Sequence, residues 1–213
     1  MRDVTTQRYL APMAVFVGLL AASCGLTPAP PPEIRWFSAA PEPPPEAPAA
    51  GSASGAAIAP RPSLRLRRVT AARHLGERMA WRSGAEYGFR ELERWTELPD
   101  AVVGRALERA LFESGRFQRD GRAELALDVE VRAFEELRGA EPAVRVELGL
   151  LLSGAGERAL LDRPVRVEAR AADAGLEALT DAMADAVARA IDEVAAAVAA
   201  AVAAASGPAP AGD

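Results

Sequence analysis

Lysine is absent from this chain of 213 residues, and histidine and cysteine occur once each, at His74 and Cys24. With lysine missing, every basic side chain is arginine. Ala, Gly and Pro are abundant too, so the pattern reads as GC-rich coding rather than as a phosphate-binding arginine set. A single histidine gives no pair for a two-histidine metal site, and no serine–histidine–acid pattern surrounds it. At a predicted strand end or loop, His74 reads as a surface residue. One cysteine excludes an intrachain disulfide. Excess positive charge is also lacking. The formal charge is -5, which argues against a nucleic-acid partner, because that requires clustered basic residues.

A long apolar run is lacking as well. Residues 9–22 are uncharged and mostly apolar, but this is shorter than the roughly 20 residues needed to span a bilayer. Arg2 and Arg8 precede the run, and Ala21, Ala22 and Ser23 lead to Cys24, which together make a secretory signal. A cysteine directly after small residues predicts a lipoprotein signal peptide over residues 1–23 and acylation of Cys24 on thiol and amine, with palmitate among the acyl groups. The place three residues before the cysteine, usually leucine, holds Ala21, and Leu20 stands one earlier. Removing residues 1–23 takes away Arg2, Asp3 and Arg8 and leaves a mature charge of about -6. Gly25 after the cysteine leans to the periplasmic face of the outer membrane over the inner membrane.

Residues 28–62 hold eleven of the 17 prolines. Such a stretch reads as a semi-extended linker, so residues 24–63 are expected to be a lipidated N-terminus and Pro/Ala-rich linker. Ile34-Arg35-Trp36-Phe37 interrupts it with two adjacent aromatics, and a short strand near 34–38 docking on the domain is expected. The folded domain is expected over 64–205, with a disordered tail over 206–213.

Within the domain the periodicity is two. Leu64 and Leu66 alternate with arginines. Met79 and Trp81 precede a turn at Ser83-Gly84, and Tyr87 and Phe89 follow. Three longer alternating rows run through Leu125–Ala133, Val144–Leu152 and Val165–Ala169. Alternation predicts one buried and one wet face. Two helices supply cover. One opens at Pro99, closes near Gly115 and carries Val103, Leu107, Ala110 and Leu111 on one face. The other runs from about Asp173 to Ala205 with an apolar stripe from Leu176 to Val202. Its last third is only Ala and Val, which favours a core or oligomer contact over a bilayer contact. The expected fold class is α+β: a single domain, mainly antiparallel sheet covered on one face by two helices.

Chemistry is scarce. Glu135-Glu136 lies at a strand end and reads as a solvated pair, and Gly154-Ala155-Gly156 reads as a hairpin turn rather than a phosphate loop. No catalytic, metal or cofactor-binding set is expected, so the protein is not expected to be an enzyme. The constellation that stands out runs from Met79 to Phe117. It is a hairpin holding Arg82, Ser83 and Tyr87, then an Arg94-Trp95 corner, then a helix with Pro99 in its first turn. Arg82, Tyr87, Arg94, Trp95 and Pro99 are the structural or partner-contact candidates. Trp95 is expected to plug the core at the corner, with Arg94 stacking on it or capping a carbonyl.

The order of lipobox, Pro-rich linker, Arg82-Ser83 turn, Tyr87, Arg94-Trp95…Leu98-Pro99 corner, helix ending in Gly-Arg-Phe, three long strands and terminal helix resembles the ABC-type transport auxiliary lipoprotein component family. Phe134 falls where that family often shows an aromatic. The long Pro/Ala linker and the Ala-rich helix end depart from its pattern. The resemblance implies a periplasm-facing, lipid-anchored subunit of an MCE-type ABC system that moves lipids or hydrophobic compounds between membranes. Its partners would be an MCE-domain protein with the permease and ATPase, and its role docking and tethering rather than catalysis. A homo-oligomer is compatible with the flat Ala/Val helix end. Two other readings stand beside it. One is a carrier or assembly factor that binds lipid or an outer-membrane protein directly; the other is a structural cell-wall-associated lipoprotein.

Overall fold

The protein is represented by a computed structural model that describes residues 31–41 and 61–206. The expected signal peptide, Cys24 and the last seven residues lie outside the described residues. The described residues from Ile34 onward belong to one compact unit.

The elements in chain order are β1 (Arg35–Phe37), β2 (Ser63–Ala71), β3 (Arg78–Ser83), β4 (Glu86–Trp95), α1 (Pro99–Glu108), β5 (Gln118–Arg119), β6 (Ala126–Leu137), β7 (Ala143–Ser153), β8 (Ala159–Arg170) and α2 (Leu176–Ser206). A π-helical turn, Arg109–Glu113, prolongs α1, and a short 3-10 turn, Ala155–Glu157, joins β7 to β8.

β6 is the axis of the sheet. Along one edge it pairs antiparallel with β7, which pairs antiparallel with β8. Its other edge is shared: β2 lies parallel beside Ala126–Val131, and β3 lies parallel beside Glu135–Leu137. β4 returns antiparallel to β3, and β1 closes that side parallel to β4. The three pairs β3–β4, β6–β7 and β7–β8 are thus antiparallel, as alternation suggests, while β2 and β3 run parallel to β6. Alternation reports which face is wet but not the strand direction. The chain passes through a hairpin and α1 between β2 and β6, a crossover of the kind parallel pairing needs.

α1 begins where Pro99 supplies a preset φ, with Leu98 extended before it and Asp100 in the first turn. It buries Val102, Val103, Ala106 and Leu107, continued by Leu111 in the π turn. Gly115, at φ +73°, ends the run, in the left-handed region that glycine enters without penalty. α2 lies along β7 and β8 and buries Met183, Val187, Ile191, Val194 and Val198. Each such side chain contributes about 1.5–3 kcal/mol relative to exposure. Between sheet and α2, Met79, Trp95, Val144, Leu179 and Met183 enclose only about 10 Å³, no more than one water molecule. Gly88 is fixed by a close approach. A Cβ there would sit 2.4 Å from the Trp81 ring, which lies over it with the Arg138 guanidinium 4.2 Å from the ring centroid.

One expectation fails here. Glu135 is not half of a solvated pair; it is 1% exposed. A bulge in β6 between Val131 and Ala133 shifts the alternation and turns Glu135 to the face opposite Phe134, where the ion-paired Arg82 and Arg145 cover it. Beyond it Phe134 stands opposite buried Val146 and takes the inward place, and Glu135 stands opposite Arg145.

Candidate functional site

The candidates divide between the two ends and two faces of the β3–β4 hairpin. Arg82 and Tyr87 are partners across it, and the Arg82 guanidinium stacks 5.1 Å from the Tyr87 ring centroid. Tyr87 stands edge-on to Phe89 at 5.4 Å and to His74 at 5.2 Å. His74 is exposed and sits at the rim of this aromatic row.

Parallel pairing of β3 with β6 brings Glu135 to the same place. Arg82 Nε donates to Glu135 Oε1 at 2.9 Å, and Arg145 donates to that same oxygen through Nε at 3.1 Å and through Nη2. Arg145 also faces Glu168 at 3.9 Å. Burial pushes the Glu135 carboxyl up, but the hydrogen bonds and charges of Arg82 and Arg145 outweigh it, so its pKa lies below the usual carboxylate value. The Arg82 guanidinium is held above its ordinary value by the hydrogen bond to Glu135. Burial, seconded by the Glu135 charge, pushes the Tyr87 phenol up to about 12. Among the described residues the buried Tyr87 hydroxyl and Glu135 Oε2 have no hydrogen-bond partner. Glu135, expected from the sequence to be half of a solvated pair, and Arg145, which the sequence did not single out, both belong to this cluster. The available signal was the sequence Ala133-Phe134-Glu135, where an aromatic breaks the alternation.

The corner lies on the helix-covered side. Trp95, 3% exposed, meets Phe134 edge-on at 5.2 Å, and its backbone N–H donates to the Glu77 carbonyl at 2.7 Å. Arg94 Nη1 donates to the carbonyls of Glu93 at 3.0 Å and Arg90 at 3.4 Å. Pro99 is buried at the start of α1. Arg94, Trp95 and Pro99 therefore form one unit, and Arg82 with Tyr87 another.

The helix-free face carries charges in pairs. Arg67 bridges Asp128 and Glu157, and Arg166 meets Glu147 at 2.8 Å. An open groove of about 460 Å³ crosses this face between Arg67, Asp128, Arg132, Gly149, Leu151 and Asp162. A second open groove, about 990 Å³, is lined by Arg35, Arg90 and Arg170 together with Asp173, Asp181 and Asp185. Among the described residues no three His, Cys, Asp or Glu side chains gather where a metal could be held. The same residues include no helix long and apolar enough to cross a membrane. What the arrangement offers is a stiff sheet with ion-paired arginines, in which the most buried carboxylate is committed to two guanidinium groups.

A family model described as ABC-type transport auxiliary lipoprotein component matches residues 44–195. The fold is also found in a crystal structure of a Xanthomonas campestris protein assigned to the DUF330 family model. That protein is 18% identical, with a TM-score of 0.64 over 81% of this chain and 98% of its own. A hypothetical protein from Chlamydia trachomatis is similar at 10% identity and a TM-score of 0.53, covering 68% of this chain and 99% of that one. No curated protein matches the chain.

Proposed function

Because the chain belongs to the ABC-type transport auxiliary lipoprotein component family, we propose that it is the lipid-anchored, periplasm-facing subunit of an MCE-type system moving lipids or other hydrophobic compounds between membranes. It acts by docking and tethering and performs no catalysis. The observation that carries this reading is the family match over residues 44–195, which takes in every strand except β1, all of α1 and α2 as far as Ala195. The packed interior agrees with it. With only about 10 Å³ enclosed at the Trp95–Met183 contact, that part of the sheet–helix interface has no room for an acyl chain. Its site of action is the periplasmic face of the outer membrane, and Cys24 is its acylated residue. Multiple acyl chains on that cysteine anchor firmly where one chain binds only reversibly.

The test is affinity capture of the mature lipoprotein from detergent-solubilised envelopes, with mass spectrometry of proteins and lipids. Co-recovery of an MCE-domain protein with its permease and ATPase is the expected result. Recovery of lipid alone, or of cell-wall fragments alone, overturns the reading in favour of a carrier or a wall anchor.

A further inference from the structure

Ile34, Trp36 and Leu98 are the exposed large apolar side chains among the described residues, at 52%, 53% and 46%. Trp36 stands on β1, a strand of three residues at the edge of the sheet, and Ile34 directly precedes it. Trp36 is paired in register with Arg94, Arg35 holds Glu93 at 2.8 Å, and Glu33 directly precedes Ile34. Leu98 lies just beyond the end of β4, where the Thr96 N–H donates to the Phe37 carbonyl at the end of β1 at 2.9 Å.

The position of β1 in the chain decides what this edge faces. β1 and β2 belong to one sheet, so the Pro-rich residues 42–60 connect two strands of the domain and do not set its distance from an anchor. Only the ten steps from Cys24 to Ile34 do that. Fully extended, such a stretch spans at most roughly 35 Å. The first element reached from the acylated cysteine is thus the one that exposes Trp36, with exposed Ile34 directly before it. Indole is at home where a bilayer changes from apolar to wet, and arginine beside it can reach the phosphate level. A leash this short holds the pair at high local concentration over the surface, so weak partitioning is enough.

We propose that the β1 edge is a membrane-contact site, with Ile34 and Trp36 entering the interfacial layer of the phospholipid bilayer that holds the Cys24 acyl chains. The proposal rests on the lipoprotein reading above. It fixes the orientation of the domain: the β1 edge faces the lipid.

The experiment uses the full mature protein reconstituted in phosphatidylethanolamine–phosphatidylglycerol vesicles with brominated acyl chains. Acylation of Cys24 is read separately by mass spectrometry. Tryptophan emission is compared in wild type, Trp36→Phe and Trp81→Phe, with circular dichroism as the check on folding. Brominated lipid is expected to quench the Trp36 component about twofold or more, in wild type and Trp81→Phe alike, and to leave Trp36→Phe unchanged. An acylated, vesicle-bound protein in which Trp36 is not quenched overturns the membrane contact and leaves the lipoprotein reading standing. Trp36 emission that shifts blue with protein concentration, without quenching, assigns the edge to a second copy and also overturns it. A chain with no acyl group on Cys24 removes the leash and overturns both readings.

Discussion

Glu135 shows how one residue can hold two strand systems together. Its side chain receives Arg82 from β3 and Arg145 from β7, so the carboxylate joins the β3–β4 hairpin to the long β6–β7 pair. Removing the carboxylate leaves two partly exposed guanidinium groups without their partner, at a cost of about 1–3 kcal/mol. Glu135→Leu is therefore expected to lower unfolding stability by that amount in urea titrations at neutral pH. The pH dependence has a definite sign. The folded-state pKa is below the unfolded one, so the contribution is present above the ordinary carboxylate value and is lost as pH falls through the lowered value. The acid-side slope of stability should be shallower in Glu135→Gln than in wild type. An identical slope sinks the assignment. At the corner, Trp95→Ala removes a side chain that is 3% exposed and packed on Phe134, and should cost about 3–5 kcal/mol. For a domain of this size that lowers Tm on the order of 10 °C. A variant with unchanged Tm that no longer captures the transport complex would make Trp95 a contact residue instead.

At the scale of the element, the end of α2 separates size from polarity. From Val194 onward the helix is Ala and Val up to Ser206, yet Val194 and Val198 are 0% exposed while Ala196 and Ala200 are exposed. Valine, joined by buried Ala195, marks the inward face, and the outward one is all alanine, smaller and the best helix former. Val198→Asp is expected to unfold this end of the domain, because an unpaired buried charge is costly. Ala200→Asp should stay within about 0.5 kcal/mol of wild type. If Ala200→Asp leaves the monomer stable but changes its sedimentation, the alanine face is a contact between copies. The sequence could be read this far because helix and strand periods are properties of single segments. It announced both helices, β1 and the alternating rows. What it withheld belongs to relations between segments. The parallel placement of β2 and β3 along β6 depends on the route of the crossover. The bulge after Val131 shifts the phase of Phe134 and Glu135 by one residue, and no local alternation reveals that. For the same reason Arg82, Tyr87, Arg94, Trp95 and Pro99, contiguous in the sequence, separate into two units, while Glu135 and Arg145 join the first from more than fifty residues away.

At the scale of the whole molecule, the placement of β1 makes the two Pro-containing stretches inequivalent. Residues 25–33 set how far the domain stands from an anchor at Cys24, whereas residues 42–60 close a loop between two strands of one sheet. The same insertion should then have different consequences at the two sites. Doubling the 42–60 loop costs only about 0.6 kcal/mol in closure entropy and leaves the reach of the domain unchanged. Twenty Gly/Ser residues inserted after Gly25 cost the fold nothing but lengthen the leash from roughly 35 Å to roughly 100 Å at full extension. If docking depends on a domain held close to the bilayer, the second insertion should reduce capture of the transport complex from intact membranes and the first should not. Differential scanning calorimetry of both variants checks that the fold is intact. Equal capture by both variants would mean that the domain works at any distance its partner allows, and the close leash would then have no part in docking.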